Sequence, residues 1–265
     1  MRCRQAGRPD SRQEHVLMTT LEIAAGSLVS ARVAQEAGAT RVELCASLES
    51  GGVTPSYGQI ATVRDALRIP LYVLIRPRAG DFFYDGAERD TMLADIGHCV
   101  RAGCDGVVIG ALDADGDVDM SFCRELIAEA RGLGITFHRA FDVTRDQCEA
   151  LERIVSLGCE RVLTSGGMRS AWAGRERIAA LVRQADARIS IMAGAGVDPS
   201  NVAALVAETR VREVHASARK TQSPATRFLP ADDLGMGSSP SESDDATIRR
   251  LLVALDETGG RDQKS

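Results

Sequence analysis

EAGATRVELC at 36–45, RAGCDGVVIG at 101–110 and SLGCERVLTS at 156–165 share one plan. In each, a helical pattern ends at a glycine, a small residue follows, and an apolar strand begins two residues later. Glycine is common just past a helix C-terminus because it tolerates the left-handed backbone conformation. A recurring helix-to-strand unit of this kind predicts an α/β fold with a parallel sheet.

Alternating strand and helix patterns continue on both sides of these three units. Eight apolar runs are predicted as strands, at 21–25, 41–45, 71–76, 106–110, 135–139, 161–165, 189–194 and 212–217. The chain has 265 residues, and one (β/α)8 barrel typically needs about 250. A doubly wound sheet would contain the same units. The count of eight, with no pattern for a second domain, favours a single (β/α)8 TIM barrel.

The barrel is predicted over 18–257, and three polar segments are assigned other roles. Residues 1–17 lack the apolar core of a secretory signal, so we expect a disordered N-terminal extension ahead of Met18. A mobile loop is predicted at about 221–245, where Ser, Asp, Pro and Gly predominate. Residues 258–265 are predicted to form a polar tail.

Composition excludes several classes of function. The net charge of −5, without a long basic stretch, argues against a nucleic-acid partner. No apolar run approaches the roughly 20 residues that span a membrane. The cysteine count is seven, which is odd, and no C-x-x-C occurs. We therefore expect a cytoplasmic protein without a disulfide framework or a zinc knuckle.

The alternation of side chains along the strands predicts a polar interior at one end of the barrel. Strand residues that face the helices must be apolar, so their neighbours face the axis. Five strands thereby direct inward Glu22, Glu43, Cys45, Arg76, His138, His215 and Ser217. Buried charges are costly unless paired, and sites in this fold lie at the carboxyl ends of the strands. The alternative is a structural ion-pair layer of Glu22, Glu43 and Arg76 with structural histidines.

The stretch ITFHRAFD at 135–142 ends a buried strand in a base, a cation and an acid. His138 is predicted as general acid or base, with Asp142 or Glu43 orienting it or sharing protons. Arg76 and Arg78, at the end of the third strand, are predicted to hold a carboxylate or phosphate.

Glycines after the seventh strand suggest a second part of the site. MAGAGVDPSNV at 192–202 contains Gly194 and Gly196, and the loops after strands seven and eight often bind phosphate in this fold. A simple tight turn explains the glycines equally well. The full set of predicted substrate-binding residues is Glu22, Arg76, Arg78, Arg139, Thr164, Ser165, Gly194, Gly196, His215 and Ser217.

Six motifs resemble the CutC copper-homeostasis family, over about 21–219. They are RVELCASLESGGVTPSYG, IRPRAGDFFY, DGVVIGALDADGDVD, TFHRAFD, RVLTSGG and HASAR. The resemblance implies a cytosolic TIM barrel, a homo-oligomer, a link to copper tolerance and Cu(I) binding.

The copper ligands proposed for that family are the cysteines of two E-x-C motifs on the first two strands. The second motif is intact here as Glu43–Cys45, whereas the first reads Glu22–Ala24 without its cysteine. Cys45, with His138 or His215, is the remaining metal candidate, and a copper ion is one expected partner. A small anionic substrate, phosphorylated or not, is the alternative partner, handled by an enzyme or by a ligand-sensing barrel without turnover.

Overall fold

Eight parallel strands close into a barrel in the computed structural model, which describes residues 19–223, 225–228 and 241–259. Each strand pairs with the next, and the eighth pairs with the first. The strands are β1 Thr20–Ala25, β2 Arg41–Leu44, β3 Leu71–Leu74, β4 Gly106–Ile109, β5 Gly134–Phe137, β6 Arg161–Thr164, β7 Ser190–Ala193 and β8 Glu213–Ala216. The predicted (β/α)8 TIM barrel is confirmed, with all eight strands where the sequence places them.

Within the described ranges, eight α-helices alternate with these strands and surround them. They are α1 Leu28–Ala37, α2 Tyr57–Ala66, α3 Gly86–Ala102, α4 Met120–Glu129, α5 Gln147–Leu157, α6 Arg175–Ala185, α7 Val202–Thr209 and α8 Asp245–Gly259. The three repeated glycines act as predicted: Gly38, Gly103 and Gly158 end α1, α3 and α5 with φ of 104°, 71° and 78°. No helix in the described ranges has the length and apolar character needed to cross a bilayer.

The side chains alternate between the two faces of the barrel as predicted. Leu21 and Ile23 of β1 belong to the large core between the strands and the helices. A smaller apolar cluster fills the interior, made of Ala24, Cys45, Tyr72, Leu74 and Val108. The Tyr72 ring fits only because β4 begins with glycine: a Cβ on Gly106 would lie 2.1 Å from the ring. Close packing therefore fixes the interior beneath the carboxyl ends of the strands.

A short antiparallel pair follows the barrel: β9 Arg219–Thr221 and β10 Ser241–Ser243. Glu242 of β10 accepts hydrogen bonds of 2.5 Å from the hydroxyls of Ser27 and Ser30, at the start of α1. The expected extension 1–17, most of the expected loop 221–245 and the end of the expected tail lie outside the described residues. The domain boundaries therefore stay predictions.

Candidate active site

A cavity of about 350 Å³ opens at the carboxyl ends of the strands. This volume lies in the range of small-molecule sites. Eight residues predicted from the sequence line it: Glu43, Cys45, Arg76, His138, Arg139, Gly196, His215 and Ser217. They lie in, or just after, five different strands, so only the closed barrel brings them together.

Arg76 is a buried cation without a matching anion. It lies two residues beyond β3 and is 6% exposed. Its Nη1 donates to the Gly52 carbonyl at 3.0 Å and its Nη2 to the Gly80 carbonyl at 2.7 Å. Its Nε has no partner, and no carboxylate in the described part of the chain pairs with it. Since an unpaired buried charge is strongly unfavourable, this guanidinium is suited to an anion from outside the chain.

His138 lies beside Arg76 and presents a second unpartnered donor. Its Nδ1 accepts a hydrogen bond of 3.1 Å from the Ala140 amide, so the ring proton sits on Nε2. Nε2 is buried and has no hydrogen-bond partner among the residues that the structure describes. Burial, with the charge of Arg76, lowers the pKa of His138 to about 3. A ring that stays neutral is matched to donating a hydrogen bond, so the geometry favours that role over the predicted acid–base role.

Two carboxylates flank His215. Its Nδ1 lies 2.7 Å from Glu22 Oε1, and its Nε2 lies 3.6 Å from Glu43 Oε2. Glu22 also pairs with Arg41, which in turn pairs with Glu213 at 2.6 Å. Glu22 is thus ion-paired with Arg41 and His215, and it is not among the residues that line the cavity.

The surroundings give the carboxyl groups of Glu22 and Glu43 very different pKa values. Burial alone would raise the pKa of Glu22, but Arg41 and His215 outweigh it and lower this pKa to about 2. Burial raises the pKa of Glu43 to about 7, against the opposing charge of His215 and with support from the charge of Glu22. Burial opposes charging of His215, but Glu43 and Glu22 raise its pKa. Glu43 is thus poised to gain and lose a proton near neutral pH, whereas Glu22 remains a fixed anion.

Asp142 anchors a loop and does not line the cavity. Its carboxylate accepts from Thr164 Oγ1 at 2.5 Å and from the amides of Ser165 and Gly167 at 3.0 and 3.1 Å. Arg139 Nε donates to it at 2.7 Å. These contacts occupy both oxygens, so the structure brings neither Asp142 nor Thr164 nor Ser165 into the cavity. Arg139 remains at its wall.

Two further predicted residues also lie away from the cavity. Arg78 turns to the start of α3, where its Nε donates to Glu88 at 2.5 Å and its Nη2 to Asp81 at 3.0 Å. Gly194 allows close packing, because a Cβ there would lie 2.5 Å from Leu163. The cavity is also lined by residues that the sequence reasoning did not predict, among them Phe82 and Arg219. Arg219 follows the eighth strand within HASAR, and its place in that motif was the available signal.

The donor set around Cys45 fits Cu(I) poorly. The thiol is 1% exposed, and burial followed by the charge of Glu43 raises its pKa, which disfavours the thiolate that binds metal. The neighbouring interior position is Ala24, so no second sulfur is present there. Glu22, Glu43 and His215 place ligand atoms within 4.8 Å of one another, but oxygen and imidazole donors suit harder cations than Cu(I).

Comparisons with known proteins agree on one family. The CutC family model matches residues 19–220. A "family protein CutC" of Xanthomonas campestris pv. campestris is 54% identical over 235 residues, covering 89% of this chain and 98% of the relative. One from Xylella fastidiosa is 60% identical over 239 residues, covering 89% and 88%.

Solved structures include a member of the same family and more distant proteins with the same fold. "Putative Copper Homeostasis Protein CutC" from Streptococcus agalactiae superposes with a TM-score of 0.73 at 35% identity, covering 76% of this chain and 99% of that one. Thiamine phosphate pyrophosphorylase from Pyrococcus furiosus, at 16% identity and a TM-score of 0.58 over 92% and 98%, shares the fold alone.

Proposed function

The chain belongs to the CutC family, and from this premise we propose that its barrel mouth binds a small organic anion and transfers a proton on it. Arg76 and His138 hold the anion, and Glu43 is the acid–base group. The observation that carries the proposal is the buried guanidinium of Arg76, which has two backbone partners and no carboxylate in the described structure.

An anion at Arg76 would accept hydrogen bonds from two buried donors that have no acceptor among the described residues. Arg76 Nε and His138 Nε2 are buried donors without acceptors in the described part of the chain, and leaving such groups unpaired costs about 1–3 kcal/mol each. Both side chains also contact Phe82: the guanidinium carbon lies 4.8 Å from its ring centroid and the imidazole 5.0 Å from it. Both side chains therefore lie against one aromatic ring that also lines the cavity.

Glu43 supplies the chemistry. A carboxyl group with a pKa of about 7 can take a proton from a bound anion and return it at neutral pH. His215, fixed through Nδ1 by Glu22, stabilises the ionised form of Glu43. Isomerisation and aldol-type cleavage both begin with such a transfer. The described residues that line the cavity include no lysine, so the proposal does not involve a Schiff base.

Binding is tested with glycolate, malate and citrate as probes, by calorimetric titration of the parent, Arg76→Met and Arg124→Met. Arg124 is an exposed arginine on α4 and serves as the matched control. We expect at least one acid to bind the parent and Arg124→Met equally, and to lose about tenfold or more in affinity with Arg76→Met. Equal binding by all three proteins would overturn the proposed role of Arg76.

Proton transfer is tested by following deuterium uptake into a bound acid in D₂O by proton NMR. Glu43→Gln removes the titrating group while keeping its shape, and Glu125→Gln on the exposed face of α4 is the control. Exchange should be lost in Glu43→Gln and kept in Glu125→Gln. Exchange that survives in Glu43→Gln would show that another group moves the proton.

Cu(I) binding at Cys45 is the second candidate, favoured by the name of the Streptococcus agalactiae relative. The single buried thiol and Ala24 argue against a tight site here. An anaerobic Cu(I) competition titration of the parent beside Cys45→Ala decides this. Stoichiometric binding that is lost in the variant would support the copper candidate, and weak or unchanged binding would remove it.

Two broader predictions accompany the proposal. The six described cysteines are free thiols, in keeping with a reducing cytoplasm. Fractionation of cells that produce the tagged protein tests this location. The predicted homo-oligomer is tested by light scattering coupled to size-exclusion chromatography.

A further inference from the structure

Two opposite walls of the cavity contain residues whose N–H donors have no acceptor among the described residues. We infer that its ligand carries two anionic groups, a carboxylate held at Arg76 and His138 and a phosphate held by the loops after β7 and β8. The inference rests on the proposed function of the same site and specifies its substrate class: a short phosphorylated acid.

The first wall suits a carboxylate. Arg76 and His138 line it, both side chains are at least 94% buried, and Arg76 Nε and His138 Nε2 have no acceptor among the described residues. Two N–H donors beside one guanidinium charge match the two oxygens and single charge of a carboxylate. The Nη groups of Arg76 are already directed to the Gly52 and Gly80 carbonyls, which leaves few donors for a third oxygen.

The second wall suits a phosphate. Ala195, Gly196, Val197 and Ser217 line it, and none of their amides donates to an acceptor in the described part of the chain. Arg219 extends from the start of β9 to the same cavity without an ion pair to a described carboxylate. Several backbone N–H groups, a hydroxyl and a guanidinium supply the larger number of donors that three phosphate oxygens require.

The positions of the strands separate the two walls. In the closed order of eight strands, β3 and β7 are four apart and so face each other across the barrel. Arg76 follows β3 and Gly196 follows β7, and one cavity of about 350 Å³ reaches both. Glu43, from β2, also lines this cavity. A ligand that satisfies both walls therefore extends across the mouth of the cavity that Glu43 also lines.

Ligands with one anionic group fit less well. A simple carboxylate at the first wall leaves Arg219 and the amides of 195–197 without acceptors. Inorganic phosphate at the second wall leaves Arg76 as an uncompensated buried charge. Leaving Arg76 without an anion costs more free energy than leaving Arg219 without one, because Arg76 is buried and Arg219 is exposed. A phosphorylated acid is the class of ligand that supplies an anionic group to both sets of donors.

The test is calorimetric titration with 2-phosphoglycolate, 3-phosphoglycerate, glycolate and inorganic phosphate. The proteins are the parent, Arg76→Met, Arg219→Met and the exposed control Arg124→Met, each checked for its fold by circular dichroism. We expect a phosphorylated acid to bind the parent and Arg124→Met at least about tenfold more tightly than glycolate or phosphate. Arg76→Met should weaken the binding of glycolate but not that of phosphate. Arg219→Met should weaken the binding of phosphate but not that of glycolate.

Arg219 is exposed, so its variant tests the second wall even if Arg76→Met does not fold. The inference is overturned if both phosphorylated acids bind no more tightly than glycolate, or if Arg219→Met leaves their affinity unchanged. Glycolate binding that depends on Arg76 would then still support the proposed function. If glycolate and both phosphorylated acids bind the parent no better than they bind Arg76→Met, the inference and the anchoring role of Arg76 both fail.

Discussion

Replacing Glu43 by glutamine should make the protein more stable at alkaline pH. Glu43 is 5% exposed, and burial raises its pKa from the ordinary 4.5 to about 7. Because the folded-state pKa exceeds the unfolded one, the stabilising contribution of protonated Glu43 is full below pH 4.5 and is lost as the pH rises through 7. Glutamine has nearly the same shape and cannot ionise.

The magnitude follows from the size of this pKa change. A difference of about 2.5 pKa units at about 1.4 kcal/mol each corresponds to roughly 3 kcal/mol between pH 4.5 and pH 8. The parent should lose this contribution over that range, and Glu43→Gln should not. His215 also has a raised pKa. Its contribution to the free energy of unfolding of the parent therefore also declines as the pH rises, as that of Glu43 does.

The assay is urea denaturation of the parent, Glu43→Gln and Glu125→Gln at half-unit steps from pH 5 to pH 9. The quantity of interest is the difference in the free energy of unfolding between each variant and the parent. This difference should favour Glu43→Gln increasingly as the pH rises, and stay flat for the exposed control. Parallel curves for parent and Glu43→Gln would refute the reasoning, because they would mean that Glu43 does not change protonation in the folded protein across this range.

Three further predictions concern the rest of the site. The His138 ring should remain neutral at pH 5 with its proton on Nε2, because its folded pKa is about 3. Nitrogen-15 NMR measures this, and a ring that titrated near pH 6.5 would contradict the prediction. Asp142→Ala should lower the free energy of unfolding by about 3–5 kcal/mol, because three donors on the buried residues Thr164 and Ser165 lose their acceptor. A loss below 1 kcal/mol in urea denaturation would contradict the anchoring role. Ala24→Cys should add one tight Cu(I) per chain that Cys45→Ser then removes; unchanged copper titration would show that two interior thiols there do not make a site.

The sequence was sufficient for the barrel because its evidence is local and repeated. The glycines at 38, 103 and 158 each end a helix, and the alternation of apolar residues indicates which side chains face the axis. Closure of the barrel then follows from the count of strands. For the same reason the inward-facing Glu43, Arg76, His138 and His215 meet in one cavity as predicted.

The sequence could not separate residues that face the ligand from residues that support them. Asp142 and Arg78 follow strands just as His138 and Arg76 do, but turn toward partners within their own loops. That choice depends on where Thr164 or Glu88 lies in space, which no local pattern shows. Arg219 was missed for the opposite reason, since it lies beyond the last barrel strand and reaches the mouth only because β9 continues along it.

The charges of the mouth can be understood together once Arg76 is treated as a binding group. Glu22 is neutralised by Arg41 and His215, and Arg139 by Asp142; these pairs are complete without a ligand. Arg76 and Arg219 have no carboxylate in the described structure, whereas Glu43 resists ionisation through burial. The excess of positive charge attracts an anion, and a bound anion would in turn raise the pKa of Glu43 further by repulsion. Ligand binding and proton uptake should therefore be coupled, so the affinity of the parent for an acid should fall as the pH rises above 7, while that of Glu43→Gln should change less.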